Sequence, residues 1–439
     1  MAQDTPLSTR GLVIYEVFTR YHGPHGSFAD VEADLERIRS LGVDVVWFMP
    51  IHPIGQLNKK GSLGCPYSIA DYRGINPEYG SRADFQDLIK KAHALGLKVM
   101  IDVVYNHTAH DSVLVQQHPA WFHQDAAGLP VTTVPAWSDV IDLHHPNPEL
   151  SAYLIETLQG WAEFGVDAFR CDVASLLPAD FWTAAREAVS TVKPDVIWLA
   201  ESVHAAFVVS RRANGLIALS DSELYRAFDL TYAYDIWPVF QGAVTGRLPF
   251  SRYLEMLLFQ DAIYPANYAK LRYVENHDQA RIMDLAPSPA QALAWTAFEA
   301  FNKGPFLVYA GQESAATHTP SLFDVDKVAW RDYSCQAFLT TLCRLKKDTA
   351  MLEGQFILLD NQAAIQAAWQ HEPGGLLGVF NVQGLGGEID LPLPDGTYLD
   401  LLSGRPLSVT RGKIPIPTSA VVLRYSSPVE LTPFKSDLF

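Results

Sequence analysis

Stretches with apolar residues at helical spacing alternate along this chain with short, continuous apolar runs. The run at residues 13–18 comes first, and the amphipathic stretch that follows begins at Ser27, with Asp30 three positions later. This pair is typical of a capping box at a helix N-terminus. Gly42 then favours a helix end, and the next apolar run covers 43–50. The pattern therefore predicts strand, helix, strand.

The same order recurs along most of the chain, which indicates parallel strands covered by helices. Eight such units in about 340 residues predict an α/β fold, a (β/α)₈ barrel. An open, doubly wound sheet is the alternative, but no glycine-rich GxGxxG motif follows the first strand. The predicted strands are residues 13–18, 43–50, 97–106, 166–172, 195–202, 227–232, 271–278 and 304–313.

Two segments do not follow this alternation. Residues 107–141, after the third strand, contain many His, Pro and Asp residues and little periodicity, which predicts a small, loop-rich inserted domain. From residue 350 to 439 short apolar runs lie between Gly and Pro turns, which predicts a C-terminal antiparallel β-sandwich. The barrel is then assigned to residues 1–106 and 142–349.

Polar residues follow several of the predicted strands at their C-terminal ends. In a (β/α)₈ barrel these ends meet at one mouth, where the chemistry takes place. Four carboxylates, two imidazoles, one guanidinium and two carboxamides from different strands would therefore converge there. The residues are Asp102, Asn106, His107, Arg170, Asp172, Glu201, Asn276, His277 and Asp278.

Arg170 and Asp172 are two positions apart, so both side chains point into the predicted barrel. A buried carboxylate held beside a cation stays ionised, as a nucleophile must. A purely structural ion pair is the alternative. Glu201 ends the next apolar run, VIWLA, where apolar surroundings favour a protonated acid. A retaining glycosidase uses one ionised carboxylate as the nucleophile and one protonated carboxyl group as the acid.

Charge and composition exclude other classes. The formal net charge of −16 argues against a nucleic-acid partner, because such proteins carry clustered Lys and Arg. No apolar run approaches the ~18 residues of a membrane span, and the N-terminus lacks the pattern of a secretory signal. The four scattered cysteines (Cys65, Cys171, Cys335 and Cys343) are predicted to be reduced thiols of a cytoplasmic protein.

Four segments resemble the ordered signature blocks of the α-amylase family of glycoside hydrolases. They are DVVYNH at 102–107, GVDAFRCD at 165–172, LAES at 199–202 and ENHDQ at 275–279, and PYSIADYRGINPEYG at 66–80 also matches. The resemblance covers the whole chain. It implies a catalytic barrel, an inserted domain after strand three, a C-terminal β-sandwich and an activity on α-glucans.

The resemblance also implies a role for each matching residue. Asp172 would be the nucleophile, Glu201 the acid/base and Asp278 the transition-state stabiliser. Arg170 would position the nucleophile with support from Asp102. The residues expected to bind the sugar are His107, His277 and Tyr67, the last by stacking on the ring.

Departures from the family pattern bear on specificity. Ser175 and Leu176 stand where many amylases have Lys-His, and Ser68 replaces the Asp typical of exo-acting α-glucosidases. Val173 directly follows the expected nucleophile, and a valine at this position is a feature of α-1,6-acting members of the family. We predict cleavage of α-1,4 bonds in maltooligosaccharides. The alternatives are a 4-α-glucanotransferase, an α-glucosidase acting on α-1,4 or α-1,6 bonds, and a non-catalytic binding relative.

The resemblance raises calcium as a candidate ligand, because Asn106 matches the calcium-binding Asn of the family. His144, however, stands where a ligand Asp is often found, and imidazole does not suit calcium. We predict no essential metal or cofactor. The spacing of His110, His118 and His123 matches no zinc pattern. The expected partner is an α-glucan or maltooligosaccharide substrate, bound by a monomer or homodimer.

Overall fold

The computed structural model describes residues 6–436. Within them the chain divides into two compact units. The first comprises Ile14–Asp235 and Pro320–Ala329, and the second comprises Pro6–Val13, Ile236–Thr319 and the chain from Trp330 onward. No helix in residues 6–436 is both long and apolar enough to cross a bilayer.

The first unit contains parallel strands with helices between them, and a short antiparallel strand pair. Its strands are β1 (Val13–Val17), β2 (Val45–Phe48), β3 (Lys98–Val103), β4 (His107–Ala109), β5 (Val140–Asp142), β6 (Ala168–Cys171), β7 (Ile197–Ala200) and β8 (Leu230–Tyr232). Its helices are α1 (Thr19–His22), α2 (Phe28–Ser40), α3 (Arg82–Ala94), α4 (Val113–Gln117), α5 (Pro148–Phe164), α6 (Ala179–Ser190), α7 (Ala205–Ala213) and α8 (Asp221–Leu224), with 3₁₀ turns at Pro119–Trp121 and Ala174–Leu176.

The sequence signals that predicted the first helices work as expected. The Ser27 side chain accepts from the backbone N–H of Asp30 while Asp30 accepts from that of Ser27, so the capping box is complete at the start of α2. Ser81 and Asp84 form the same box at α3. Every residue of β1, β2 and β6 is buried, as continuous apolar runs in a parallel sheet require.

Parallel pairing brings the C-terminal strand ends of this unit to one edge. The pairs are β1–β2, β2–β3, β3–β6, β6–β7 and β7–β8. Between β3 and β6 the register places Asp102 opposite Arg170, and between β6 and β7 it places Arg170 opposite Leu199. Residues that follow β3, β6 and β7 therefore emerge beside one another.

The predicted insertion is closed at its base by the antiparallel pair β4–β5, with His107 opposite Asp142. Between these strands lie α4, one 3₁₀ turn and irregular chain. β5 crosses the predicted boundary at residue 141. The long loops between short elements explain why the segment shows little periodicity in sequence.

The second unit contains the last two βα repeats and the C-terminal β domain. Its strands are β9 (Lys270–Leu271), β10 (Phe306–Tyr309), β11 (Gln355–Leu359), β12 (Ile365–His371), β13 (Gly374–Phe380), β14 (Glu388–Asp390), β15 (Gly396–Leu399), β16 (Pro406–Val409), β17 (Lys413–Pro415) and β18 (Ala420–Tyr425). Its helices are α9 (Trp237–Val244), α10 (Phe250–Ile263), α11 (Ile282–Leu285), α12 (Pro289–Phe301), α13 (Gln336–Leu345) and α14 (Thr349–Glu353), with 3₁₀ turns at Leu7–Gly11 and Gln312–Ser314.

β9 is much shorter than the predicted strand 271–278. It is extended only by a parallel bridge between Arg272 and Phe306. Beyond that point Asn276 Oδ1 accepts the backbone N–H of Asp278 at 2.9 Å. Side-chain bonds of this kind favour a turn, so the polar block at 276–278 lies in a turn and not in the predicted strand.

The C-terminal domain is built from antiparallel strands. β11, β12, β13 and β18 form a sheet in that order, and two further pairs are β14–β17 and β15–β16. Apolar residues from these sheets form one buried core, which includes Leu377 and Leu423 from the larger sheet and Ile389 and Ile414 from one of the strand pairs. Helix α14 crosses the predicted boundary at residue 350.

Candidate active site

The strand ladder fixes the backbones of the two predicted catalytic carboxylates. The N–H of Asp172 donates to Val103 O at 2.8 Å, and the N–H of Glu201 donates to Cys171 O at 2.9 Å. Both residues thus lie one position past a strand, still within its hydrogen-bond pattern. Their side chains are 9% exposed. They are rigidly held yet reach the surface.

Arg170 joins three carboxylates at this edge, and its side chain is fully buried. Its Nη1 donates to Asp102 Oδ1 at 2.7 Å and to Asp172 Oδ1 at 2.9 Å. Its Nη2 lies 3.0 Å from Glu201 Oε2, an ion pair whose angles do not meet hydrogen-bond geometry. Since the guanidinium is planar and rigid, the contacted oxygens of Asp172 and Glu201 lie within about 8 Å of each other. The two catalytic carboxyl groups of retaining glycosidases are about 5 Å apart, a distance that lies within this upper bound.

Aromatic rings surround the same guanidinium. Arg170 Cζ lies 5.3 Å from the ring centroid of Trp47, 5.6 Å from that of Tyr67 and 5.4 Å from that of Tyr232. Burial by itself would lower the pKa of Arg170, but the surrounding negative charges, that of Asp102 foremost, outweigh it and raise the pKa well above its usual value. Arg170 is therefore a permanent cation that orients the carboxylates.

Glu201 has a more polar environment than its sequence context indicated. Besides the Arg170 contact, its Oε2 accepts the backbone N–H of Val173 at 2.8 Å. Val173 adopts a left-handed backbone conformation, with φ 35° and ψ 45°. That conformation costs a β-branched residue about 1–3 kcal/mol. The strained turn directs the N–H at Glu201, a role that no feature of the sequence indicated.

His107 and Tyr67 join the network from neighbouring loops. His107 Nε2 lies 3.9 Å from Asp172 Oδ2, and the ring Nδ1 lies 3.2 Å from the side-chain amide nitrogen of Asn106. With the amide as donor, Nδ1 accepts and Nε2 carries the ring proton. Burial lowers the pKa of His107, which favours a neutral imidazole. Tyr67 Oη donates to Asp102 Oδ2 at 3.2 Å.

The predicted residues after β9 form a separate arrangement in the second unit. His277 Nε2 lies 3.2 Å from Asp278 Oδ2, with His277 buried and the Asp278 side chain 38% exposed. Their loop is fixed by Glu275, which accepts from Arg281 Nη1 and from the N–H of Ile282, both at 2.7 Å. No pattern in the sequence indicates that Glu275 and Arg281 support this loop.

The structure thus connects most of the predicted site residues in the first unit and a smaller set in the second. Tyr67, Asp102, Asn106, His107, Arg170, Asp172 and Glu201 form one network, and His277 contacts Asp278. Their individual catalytic roles remain predictions.

Sequence comparison gives this arrangement its context. The family profile described as "Alpha amylase, catalytic domain" matches residues 14–126 and 135–351. The chain belongs to the alpha-amylase family. A second profile, "Bacterial Alpha amylase C-terminal domain", matches residues 356–423. This membership places the chain among enzymes that act on glycosidic bonds.

Two solved structures of alpha-amylases are similar over nearly the whole chain. The alpha-amylase from Lactobacillus plantarum is 43% identical, with a TM-score of 0.92, and the match covers 95% of this chain and 100% of that one. A noncanonic maltogenic alpha-amylase from Thermotoga neapolitana is 33% identical, with a TM-score of 0.85 over 95% and 99% of the two chains. This likeness confirms the predicted (β/α)₈ barrel with an insertion and a C-terminal antiparallel β domain.

One relative of this alpha-amylase family member is a maltosyltransferase. The alpha-1,4-glucan:maltose-1-phosphate maltosyltransferase of Mycobacterium tuberculosis is 32% identical over 256 residues, which are 51% of this chain and 35% of that protein. The chain thus spans about a third of the length of that relative. Family membership establishes glycosidic-bond chemistry and leaves hydrolysis and transfer as alternatives.

The residues that could hold calcium in this alpha-amylase family member do not suit a cation. Asn106 and Asp142 line a cavity of about 150 Å³, and the guanidinium of Arg211 lines it as well. Arg211 Nη1 donates to Thr133 Oγ1 at 2.6 Å, and the backbone N–H of Thr133 donates to Asp142 at 2.8 Å. Burial lowers the pKa of Arg211 and the charge of Asp142 opposes that shift. The cationic side chain of Arg211 thus lines the same cavity as Asn106 and Asp142.

The histidines near this cavity do not complete a metal site. His144 is exposed, and its ring contacts that of His123 with centroids 4.8 Å apart. His118 instead stacks on Trp121, and His110 contacts Ser138 O. Within residues 6–436, no group of three or more His, Cys, Asp and Glu side chains is arranged to hold a metal.

Proposed function

We propose that this enzyme cleaves α-1,4-glucosidic bonds in maltooligosaccharides by double displacement with net retention. The observation that supports this most is the single buried guanidinium of Arg170, which contacts both Asp172 and Glu201. One cation holds two carboxylates at the ends of adjacent strands. A mechanism with a covalent glycosyl-enzyme requires two rigidly held carboxylates of this kind.

In the first step, Asp172 attacks the anomeric carbon while Glu201 gives its proton to the leaving oxygen. A bond forms between Asp172 and the sugar as the glycosidic C–O bond breaks. In the second step, water attacks the anomeric carbon, Glu201 takes the water proton, and the Asp172 carboxylate leaves. Each step inverts the anomeric centre, so the product keeps the α configuration.

The other residues would support these steps. Arg170 orients Asp172, and Asp102 holds Arg170 from within the sheet. The neutral His107, 3.9 Å from Asp172, is suited to donate to a sugar hydroxyl. The resemblance to the family gives Tyr67 and His277 roles in sugar binding and Asp278 a role in stabilising the transition state.

Hydrolysis of maltoheptaose followed by proton NMR tests the stereochemistry. We expect the α-anomer of the new reducing end to appear first and the β-anomer to follow only by mutarotation. A β-anomer formed first would contradict the mechanism, since it requires a single displacement. The lengths of the products also report whether cleavage is internal or terminal.

Transfer to a sugar acceptor is the second candidate function, favoured by the match to a maltosyltransferase. The two activities share the glycosyl-enzyme and differ in whether water or a sugar hydroxyl attacks it. Incubation with maltotriose separates them: products longer than the substrate indicate transfer, and shorter products alone indicate hydrolysis.

We also propose that no metal is essential, because the cavity lined by Asn106 and Asp142 is also lined by the cationic side chain of Arg211. Exhaustive chelation should therefore leave both kcat and the thermal midpoint unchanged. Arg211→Met should lower the free energy of unfolding by about 2–3 kcal/mol, since a buried charge-assisted bond is lost.

Arg212→Met is the matched control, because Arg212 is about half exposed in its pair with Glu223. It should cost no more than about 1 kcal/mol. Complete loss of activity on chelation, restored by calcium, would overturn the proposal.

A further inference from the structure

The loop that carries Asp278 in the second unit is a turn closed by its own hydrogen bonds. Asn276 Oδ1 accepts the backbone N–H of Asp278 at 2.9 Å, and Asn276 O accepts that of Gln279 at 3.3 Å. The Asp278 side chain is 38% exposed and lies 3.2 Å from His277 Nε2. Its direction therefore depends on how firmly the turn is held.

Helix α9 holds the far end of this turn through the side chain of Gln279. Trp237 Nε1 donates to Gln279 Oε1 at 2.7 Å, and Gln241 Nε2 donates to the same oxygen at 3.2 Å. Trp237 is the first residue of α9 and Gln241 lies one turn later, so both donors come from one face of the helix. Two N–H bonds to one carbonyl oxygen leave the carboxamide little freedom to rotate.

The indole that makes the shorter bond is itself fixed by packing. Trp237 is buried, and its ring stacks on that of Tyr273 with centroids 4.7 Å apart. The ring of Phe240, one turn along α9, packs against it at 4.8 Å. Tyr273 lies two residues after the end of β9, in the chain that leads into the turn. The indole thus contacts the chain before Asp278 through its ring and the residue after Asp278 through its N–H.

The position of Asp278 matters because of the role that the family resemblance gives it. A carboxylate that stabilises a positively charged transition state must be held where that charge develops before the reaction starts. A displacement of about 1 Å can cost about 10²-fold in rate even when every chemical group is intact. Because the Asp278 side chain is 38% exposed, packing alone fixes it poorly, and the turn with its anchors has to supply the precision.

We propose that Trp237 is a positioning residue for Asp278 and acts through the carboxamide of Gln279. This inference rests on the proposed function, in which Asp278 stabilises the transition state. In this role the indole acts through another residue and need not contact the sugar. Loss of its hydrogen bond should therefore lower kcat and leave KM nearly unchanged.

Trp237→Phe tests the hydrogen bond alone, because phenylalanine keeps an aromatic ring against Tyr273 and has no N–H. We expect kcat on maltoheptaose to fall at least about tenfold, with KM changed by less than about twofold. Gln279→Met removes the acceptor instead of the donor and should give the same split. It also keeps the proposal testable if Trp237→Phe does not fold, since the indole stays in place.

Trp369→Phe is the matched control for the loss of a buried indole donor. Trp369 is buried, and its Nε1 donates to Phe301 O at 2.7 Å, the same length as the bond of Trp237. That bond joins β12 to α12 and includes no residue of the turn at 276–279. Both substitutions should lower the thermal midpoint by a similar amount, at most about 4 °C. Trp369→Phe should leave kcat within about twofold of the parent value.

The decisive measurement combines Trp237→Phe with Asp278→Asn. Asp278→Asn alone should lower kcat at least about 10²-fold. If Trp237 acts through Asp278, adding Trp237→Phe should lower kcat by less than about a further twofold, because the group that it positions is already lost. α-Maltosyl fluoride, from which fluoride leaves readily, keeps the remaining rates measurable.

The outcomes distinguish this inference from the proposed function. A further loss of about tenfold from Trp237→Phe in the Asp278→Asn background would overturn the positioning role, because the two effects would then be independent. An unchanged kcat in Trp237→Phe and Gln279→Met, or an equal loss in Trp369→Phe, would overturn it as well. Near-normal turnover by Asp278→Asn would instead contradict the role that the proposed function gives Asp278. A loss of kcat that disappears in the Asp278→Asn background supports the inference.

Discussion

Asp172→Asn is expected to lower kcat on maltoheptaose by roughly 10⁴-fold or more, because an amide oxygen is a poor nucleophile. The substitution keeps the shape of the side chain. Arg170 keeps its 2.7 Å bond to Asp102, so the buried cation remains paired and the fold should persist. Steady-state kinetics measure the loss, and circular dichroism with thermal unfolding checks the fold.

Asp180→Asn is the matched control for this substitution. The Asp180 side chain is 93% exposed and lies 3.5 Å from Arg226. Its replacement should leave kcat unchanged. A near-normal rate in Asp172→Asn would show that another carboxylate attacks the sugar.

Arg170→Met is expected to have the largest effect on stability, about 3–5 kcal/mol lost from the free energy of unfolding at neutral pH. The change leaves Asp102, whose side chain is fully buried, without the Arg170 cation, and it removes the same cation from Asp172 and Glu201. Uncompensated buried charge is costly because water no longer solvates it. Chemical denaturation at pH 7.5 measures the loss.

The pH dependence identifies the cause. In the variant, carboxylates without a cation bind protons more readily in the folded state than in the unfolded state. The folded state then takes up protons as pH falls, so the stability gap to the parent protein should narrow between pH 7.5 and pH 5. A gap that stays constant would indicate lost packing instead of unpaired charge.

Arg226→Met serves as the comparison, since Arg226 is 60% exposed in its surface pair. We expect a change below about 1 kcal/mol there. A similarly small change in Arg170→Met would mean that the carboxylates around Arg170 are hydrated, against the burial described above.

Much of the fold follows from local patterns. The capping boxes at Ser27 and Ser81 start α2 and α3 where the sequence predicts them. Continuous apolar runs become buried parallel strands, since only strands covered on both faces bury every residue. The strand at 271–278 is the exception: β9 ends at Leu271, and the Asn276 side chain accepts the backbone N–H of Asp278 in a turn farther along.

For the candidate site, the sequence alone determined which residue types end which strands. Period two along β6 places Arg170 and Asp172 on one face, and parallel topology brings Glu201 beside them. Only the tertiary structure decided how these groups are held. Three features join segments that are far apart in the chain. They are the left-handed turn at Val173, the guanidinium of Arg211 beside Asp142 and the contact of Trp137 with His107. Local spacing reports which face a side chain takes, whereas contacts between distant loops depend on packing and charge that arise only once the strands have paired.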